Sequence, residues 1–366
     1  MSVFLVFIII SCLCLGLGNT ACPCSTPELC EPIKNTTRKE VFIFSLSEEK
    51  EVWSKYDYNK VTTVVMVGYH NDELMCHAHG KGVRVVMIGD IDKKKLINAS
   101  ERTKWVKNIV YNVSVHHLDG VNIDFEQTIP KNELDLRRAL TSLVAETNQK
   151  LKEQSKYYQM TVDVAWRQPC VDDRCYDYYA LSKVSDFLFI MAYDERSQIL
   201  GECIAGANSA ITNAAIGMKS YLNLNIPEEK LVLGVPWYGY RYQCLQFDPK
   251  NNKCSIKKVP FRGVECSDAA GQQVDYKNIA KLVKSKHIKI LFDNSTMTPF
   301  FNYQDSGNDY QLWFDGPQSL KLKYLLAVKN GLRGVGMWNA DSLDSSNTIS
   351  AQLQRKEMWG ALPEYN

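Results

Sequence analysis

The chain has 366 residues, of which 45% are hydrophobic and 23% charged, and its formal net charge is +2. This composition fits a globular protein with a large core. The basic residues are dispersed along the chain, so the sequence does not indicate a nucleic acid partner. The length alone permits one domain or two, since α/β barrels of more than about 250 residues commonly form single units.

The first segment of the chain is an apolar run, VFLVFIII followed by CLCLGLG, that ends near Gly18. We interpret residues 1–20 as a cleaved secretory signal peptide, although a basic start is missing, and a signal anchor is the alternative. No later stretch approaches about 18 uninterrupted apolar residues, so we expect no membrane contact after signal cleavage. Residues 21–366 are expected to form a single domain.

Cysteine usage supports the secretory route. Two of the 12 cysteines lie within the signal segment, which leaves ten, and an even number in a secreted chain predicts disulfides. Two of them bracket a short loop and three cluster in one later segment: Cys170 and Cys175, then Cys244, Cys254 and Cys266. Three others are spaced like metal ligands, but no nearby histidine completes the set, so no metal is predicted: Cys22, Cys24 and Cys30. Connectivity stays open.

Four Asn-x-Ser/Thr motifs predict N-glycosylation, at Asn35, Asn98, Asn112 and Asn294. Each motif is weak by itself. Together with the signal-like start and the even cysteine count, they indicate a luminal or extracellular protein.

Eight short, strand-like apolar runs recur along the chain, separated by segments of helix length. They cover 41–46, 62–69, 83–89, 120–126, 160–166, 187–194, 231–239 and 334–340. Near-continuous apolar strands are typical of parallel sheets that are buried on both faces. We therefore predict an α/β fold, a (β/α)₈ TIM barrel.

Helical periodicity is clearest between the fourth and fifth strands, where Leu136, Leu140 and Leu143 follow a start at Pro130. A second helix is predicted within 204–222. The gap between the seventh and eighth strands is too long for one βα unit, so we predict an insertion over 240–315 that walls one side of the site. It contains three cysteines and two aromatic runs, FFNY and QLWF.

The fourth strand ends in LDGVNIDFEQ, which places two carboxylates at strand spacing. Alternation puts Asn122, Asp124 and Glu126 on one face, and Val121, Ile123 and Phe125 on the core face. At about 3.3 Å per residue the backbones of Asp124 and Glu126 lie roughly 6.6 Å apart, so the two acids can divide a reaction between them.

Other strand ends carry compatible groups. The sixth strand ends in MAYD, with Tyr193 and Asp194, and the eighth ends in GMWN, with Trp338. Active sites of these barrels gather where the strands end, so we expect these side chains to meet the carboxylates of the fourth strand.

The pattern resembles the DxxDxDxE signature of the family 18 glycosidases, the chitinase family, with Asp119, Asp124 and Glu126 matching. Asn122 stands where the family usually has Asp, and the third strand ends in MIGD where the family often has Ser-x-Gly-Gly. MAYD resembles the family's MxYD motif, and Trp338 its sugar-stacking tryptophan. The resemblance spans residues 41–341.

The resemblance implies substrate-assisted, retaining hydrolysis without a metal or cofactor. By resemblance, Glu126 is the general acid and then the base, and Asp124 orients the 2-acetamido group that attacks the anomeric carbon. Tyr193 would hydrogen-bond the acetamido oxygen and Trp338 would stack on the sugar. Asp194 and Asn122 are further candidate substrate-binding residues, and Asp119 is given a structural role at the strand start.

The asparagine in the signature and the secretory features resemble a lysosomal branch of the family. This implies a soluble monomer that cleaves GlcNAcβ1-4GlcNAc, in the core of asparagine-linked glycans or in short chitin oligomers, from the reducing end. A secreted chitinase and a non-catalytic chitinase-like lectin are the alternatives, and the presence of Glu126 argues against the lectin.

Asn122 also supports an electrostatic hypothesis. An aspartate there would add negative charge near Asp124 and make ionisation of nearby acids harder. The natural asparagine removes that charge, which would confine the active form to acidic conditions.

Overall fold

The computed structural model describes residues 21–35 and 39–365, so the predicted signal peptide lies outside the described residues. Eight parallel strands close into a barrel in the order β1-β15-β7-β6-β5-β4-β3-β2. They are β1 Glu40–Ser45, β2 Thr63–Met66, β3 Arg84–Gly89, β4 Gly120–Ile123, β5 Gln159–Val164, β6 Phe187–Met191, β7 Leu231–Pro236 and β15 Gly334–Trp338. The predicted (β/α)₈ TIM barrel is confirmed, and each barrel strand begins within one residue of the start of a predicted run.

Helices surround the barrel and one belongs to the insertion. They are α1 Lys50–Trp53, α2 Asp72–His79, α3 Lys93–Leu96, α4 Ala99–Val115, α5 Leu134–Gln154, α6 Tyr178–Val184, α7 Ile211–Leu222, α8 Tyr276–Ser285, α9 Pro317–Lys329 and α10 Ile349–Gly360. The helix expected behind Pro130 begins four residues later, because Ile129 is held extended. Its N–H donates to the carbonyl of Asp173 and its carbonyl accepts from the N–H of Cys175.

The inside of the barrel has two chemical halves. Four phenylalanines from β1 and β6 pack together with ring centroids 5.1 to 5.5 Å apart, three of the four ring pairs edge to face and one tilted, namely Phe42, Phe44, Phe187 and Phe189. On β4 and β5 the inward positions are polar instead, with Asn122, Thr161 and Asp163 all buried. The apolar half supports the floor of the barrel mouth, and the polar half lies under the predicted carboxylates.

Gly120 explains the glycine in LDGVNIDFEQ. Its φ is +146°, which favours glycine, and a Cβ there would lie 1.8 Å from the carbonyl oxygen of Gln159. The close approach of the β4 and β5 backbones therefore needs a residue without a side chain at this point.

The predicted insertion follows β7 and builds a small antiparallel sheet with the order β11-β8-β14-β13-β12, together with a β10-β9 hairpin. Its strands are β8 Tyr238–Gln243, β9 Gln246–Asp248, β10 Lys253–Ser255, β11 Gly271–Asp275, β12 Leu291–Asp293, β13 Thr298–Asp305 and β14 Asn308–Phe314. The aromatic runs FFNY and QLWF lie on β13 and β14. Phe300 and Trp313 stack there with centroids 4.3 Å apart, so these rings stabilise the insertion itself.

All ten cysteines after the signal segment pair in disulfides. The pairs are Cys22–Cys30, Cys24–Cys76, Cys170–Cys175, Cys203–Cys266 and Cys244–Cys254. The first two explain the metal-like spacing near the start of the described chain, and the last two hold the insertion. Within the described residues, no helix is both long and apolar enough to cross a membrane.

Candidate active site

A pocket of about 220 Å³ opens where the barrel strands end. Five predicted site residues line it together: Asp124, Glu126, Tyr193, Asp194 and Trp338. They come from the ends of β4, β6 and β15, as expected for a barrel whose chemistry lies at the carboxyl ends of its strands.

The end of β4 positions the two acids. The N–H of Asp124 still donates to the carbonyl of Gly89, 3.0 Å away, so strand geometry continues past Ile123. Phe125 is buried in the layer between barrel and helices, which turns Asp124 and Glu126 to the mouth. Burial and the charge of Glu126 raise the pKa of Asp124, the charge of Arg174 opposes them, and the resulting pKa is about 7.

Glu126 is the more accessible acid, with 51% of its side chain exposed. It pairs with the guanidinium of Arg174, which comes from the loop after β5 and also binds Asp172 at 2.8 Å. Only 11% of the Arg174 side chain is exposed. A fixed, two-sided guanidinium therefore holds the glutamate at the edge of the pocket.

Tyr193 and Asp194 follow β6. The Tyr193 ring is buried and lies edge-on to Tyr238, with centroids 6.2 Å apart. Tyr238 donates its hydroxyl hydrogen to Asp194 at 2.6 Å, and the backbone N–H of Asp194 donates to Asn208. Burial raises the pKa of Asp194 to about 6, against the lowering effect of the Tyr238 hydrogen bond.

Trp338 ends β15 and forms an aromatic wall of the pocket. Its ring rests on Phe44 with centroids 5.2 Å apart, which joins the wall to the phenylalanine half of the barrel. The side chain is only partly buried, so one surface of the ring remains open to a ligand. An exposed aromatic face beside polar groups is a surface suited to stacking on a sugar ring.

Asn122 does not line the pocket. It is completely buried, its amide oxygen accepts from the Thr161 hydroxyl at 2.6 Å, and its amide nitrogen donates to Asp163 at 2.6 Å. In this geometry Asn122 does not reach the pocket, so it does not contact a bound substrate directly. The electrostatic hypothesis also needs correction. It assumed that Asn122 removes an acid from this part of the site, but the β4–β5 register places the carboxyl group of Asp163 beside Asn122.

Six pocket residues were not predicted as site residues from the sequence: Asp163, Ala165, Trp166, Arg174, Met191 and Gln273. Asp163 had a visible signal, since it is an acid on the inward face of the apolar run MTVDVAW. Arg174 lies between two cysteines and Gln273 on β11 of the insertion, and no local spacing rule identifies either. Gln273 makes the insertion one wall of the pocket.

Asp119 lies at the opposite end of β4. Its carboxylate accepts from the N–H groups of Ile33 and Val85, each at 2.7 Å, and from His79 at 2.8 Å. Burial lowers the pKa of His79, but the hydrogen bond and charge of Asp119 outweigh it, so that the net shift is upward. The geometry is that of a structural clamp.

Among the described residues outside disulfides, His70, Asp72 and His116 have ligand atoms within 4.8 Å of one another. None of the three lines the pocket, so this cluster has no part in the chemistry described above. Of the predicted glycosylation sites, Asn35, Asn98 and Asn294 are exposed and Asn112 is half-buried on α4.

Comparison with known proteins gives a consistent result. The model of the family described as "Glycosyl hydrolases family 18" matches residues 44–342. The chain is 44% identical over 347 residues to di-N-acetylchitobiase of Rattus norvegicus, covering 94% of each chain. It is 40% identical over 356 residues to probable di-N-acetylchitobiase 2 of Dictyostelium discoideum, covering 94% of this chain and 90% of that one.

Solved structures show the same fold at low identity. A class V chitinase from Nicotiana tobaccum has a TM-score of 0.69 at 13% identity, covering 88% of this chain and 99% of its own. A chitinase from Cycas revoluta in complex with (GlcNAc)₃ has a TM-score of 0.67 at 19% identity, covering 88% of this chain and all of its own.

Proposed function

Since the chain belongs to family 18 of the glycosyl hydrolases and is a glycoside hydrolase, we propose that it cleaves GlcNAcβ1-4GlcNAc. The proposed substrates are the chitobiose core of asparagine-linked glycans and short chitin oligomers, attacked from the reducing end. The observation that carries the proposal is the grouping of Asp124, Glu126, Tyr193 and Trp338 in one pocket. Residues 21–366 act as one catalytic domain in this proposal.

The first chemical step uses a proton held by the acids of β4. Burial and the charge of Glu126 raise the pKa of Asp124. Asp124 and Glu126 together therefore retain one proton below about pH 7. Glu126 delivers a proton to the glycosidic oxygen as the C1–O bond breaks. The substrate's acetamido oxygen attacks the anomeric carbon from the other face and forms a cyclic oxazolinium ion.

Asp124 and Tyr193 act on the acetamido group. The Asp124 carboxylate accepts a hydrogen bond from the N–H of the oxazolinium and stabilises its positive charge. This electrostatic stabilisation is strongest in a buried, weakly screened site. Tyr193 donates its hydroxyl hydrogen to the acetamido oxygen, and Trp338 stacks on the sugar ring. Glu126, now ionised, takes a proton from a water molecule. The water attacks the anomeric carbon and opens the oxazolinium ring, so that the configuration at that carbon is retained.

We place the enzyme in the lysosome, reached by the secretory route, with secretion as the alternative. Five disulfides support the oxidising route, because such bonds are rare in the cytosol. The four sequon asparagines, Asn35, Asn98, Asn112 and Asn294, are proposed to carry glycans.

The proposal is tested by incubating the enzyme with a GlcNAc trisaccharide and measuring free GlcNAc. Glu126→Gln keeps the shape of the side chain but cannot donate the proton, so we expect kcat to fall by at least about 10²-fold with binding retained. Glu133→Gln is the matched control, since it makes the same change at a glutamate outside the pocket. Substantial turnover by Glu126→Gln would remove Glu126 from its role.

The same assay separates the alternatives. A chitinase would degrade polymeric chitin at least as well as the trisaccharide, whereas a lectin would bind the trisaccharide without releasing GlcNAc. Isotopic labelling of the reducing end decides the direction of attack, because the first GlcNAc released must then carry the label.

A further inference from the structure

Asp163 occupies a position that the family signature does not include. In the parallel pairing of β4 and β5, Asn122 lies opposite Thr161 and Ile123 opposite Val162. One residue further, Asp124 is level with Asp163, and alternation turns both side chains into the barrel. Neighbouring strands are about 4.8 Å apart, so the two carboxyl groups lie side by side at the base of the pocket that both of them line.

The hydrogen bonds around Asp163 fix which atom faces which. The Thr161 hydroxyl donates to the Asn122 oxygen, so the Asn122 amide nitrogen must point to Asp163, where it donates to Oδ2 at 2.6 Å. Oδ1 of Asp163 and Oδ1 of Asp124 are both buried and have no hydrogen-bond partner among the described residues. Two adjacent buried carboxyl oxygens without donors are satisfied when one of the groups carries a proton.

We propose that Asp163 is a positioning residue of the hydrolytic reaction, a protonated carboxylic acid that donates its hydrogen to Asp124 and so fixes the Asp124 carboxylate toward the substrate. The inference rests on the proposed function, since it assigns a partner to Asp124 in the same site. Asp163 thereby supplies from β5 the second acid that Asn122 does not supply from β4.

The charges around the pair determine which of its members keeps the proton. Complete burial raises the pKa of Asp163 well above the ordinary range, the charge of Asp124 adds to this, and the Asn122 hydrogen bond opposes it. Asp124, with its pKa at about 7, ionises first. The other groups that face the pair are Asp90 after β3, Glu126 after β4, Arg174 after β5 and Tyr193 after β6.

This arrangement also gives Asn122 a function. An amide anchored by Thr161 donates a hydrogen bond to Asp163 without adding a third acid to a buried group of two. A simpler role for Asp163, as a mere acceptor that completes the Asn122 hydrogen bonds, would leave Asp124 unaffected. The two roles therefore make different predictions. If Asp163 acts through Asp124, replacing Asp163 lowers kcat only while Asp124 is present, and if Asp163 is only an acceptor, the loss of kcat does not depend on Asp124.

A double-mutant cycle tests that dependence, with kcat and KM for GlcNAc release from the trisaccharide as readouts. In the wild-type background we expect Asp163→Ala and Asp163→Val to lower kcat by on the order of 10²-fold with KM nearly unchanged. In an Asp124→Ala background the same changes should lower kcat less than about threefold. Asp163→Asn, which keeps the shape and can still donate a hydrogen bond to Asp124, should retain kcat within about tenfold of wild type.

Asp119→Asn is the control, because it changes another buried carboxyl group on the β4 side without touching the pocket, and it should not change kcat in either background. Equal losses in both backgrounds would reduce Asp163 to a structural acceptor. A rise in KM at constant kcat would make it a substrate contact, and an Asp163→Asn variant as slow as Asp163→Ala would exclude the donated hydrogen bond. Absence of GlcNAc release by the wild-type enzyme would instead contradict the proposed function.

Discussion

At the scale of single residues, Arg174 is the least expected part of the site. It joins Glu126 on the rim to Asp172 in the disulfide-closed loop after β5. A planar guanidinium can bind two carboxylates in fixed directions, whereas an ammonium group is a single point charge. The orientation of Glu126, the proposed general acid, thus depends on a loop to which we assign no catalytic group.

We predict that Arg174→Lys lowers kcat/KM for the GlcNAc trisaccharide about tenfold, since one ammonium group cannot hold both carboxylates in place. Steady-state kinetics check this, and Arg102→Lys serves as the matched control, because Arg102 is similarly buried and pairs with a carboxylate, that of Glu146, outside the pocket. Full activity of Arg174→Lys would show that Glu126 needs no guanidinium.

Residue-level prediction from the sequence succeeded where the alternation of one strand was sufficient. Alternation alone brings Asp124 and Glu126 to one face, and the ends of β6 and β15 add Tyr193 and Trp338. Asp163 was missed because its position beside Asp124 depends on the register between β4 and β5, and the sequence of one strand does not contain that register. The interpretation of Asn122 as a substrate contact failed for the same reason, since its partners lie on β5.

At the scale of elements, β4 is held at both ends. Asp119 clamps its start through two backbone N–H groups and His79, while Gly120 permits the close approach to β5. The site acids lie at its far end. The start of the strand should therefore govern stability, and the far end should govern catalysis.

Asp119→Asn is predicted to destabilise the protein by about 3 kcal/mol, because an amide cannot accept all three hydrogen bonds and leaves His79 without its charged partner. Urea unfolding monitored by circular dichroism gives this number, and kcat of the folded variant should equal that of wild type. Loss of kcat without loss of stability would contradict the structural role of Asp119.

Elements were predicted well where hydrophobic runs define them and less well where distant contacts set their limits. Each barrel strand overlaps one predicted run, although β1 and β5 begin one residue before theirs, and the length of the gap after the seventh strand revealed the insertion. The start of α5 was placed too early because Ile129 bonds to a loop more than 40 residues away. Cysteine pairing and the strand order of the insertion are three-dimensional properties that local patterns do not contain.

At the scale of the whole molecule, buried acids give the fold a pH dependence. Burial is the largest cause of raised pKa values at Asp194 (about 6), Asp124 and Asp268 (about 7) and Glu195 (about 8). In the unfolded chain such groups titrate near pH 4. The folded protein therefore binds more protons than the unfolded chain between about pH 4 and 8, and stability falls as the pH rises through this window.

The His79–Asp119 pair acts in the same direction. The folded-state pKa of His79 is raised above its unfolded value of 6.5, so its contribution is complete below pH 6.5 and is lost as the pH rises through the folded value. We predict that the midpoint of thermal unfolding is about 5 °C higher at pH 5 than at pH 7.5. Glu195→Gln should reduce this difference, and a protein more stable at pH 7.5 would contradict the assignment of these buried acids.

The central claim is that the substrate's acetamido oxygen, and not an enzyme side chain, attacks the anomeric carbon. The most direct test compares kcat for a GlcNAc trisaccharide with kcat for its N-trifluoroacetyl analogue, which has nearly the same shape and charge but a much poorer nucleophile. Substrate-assisted catalysis predicts a fall on the order of 10²-fold or more, with both compounds still bound. Equal rates for the two substrates would contradict the account and assign the nucleophile to the enzyme.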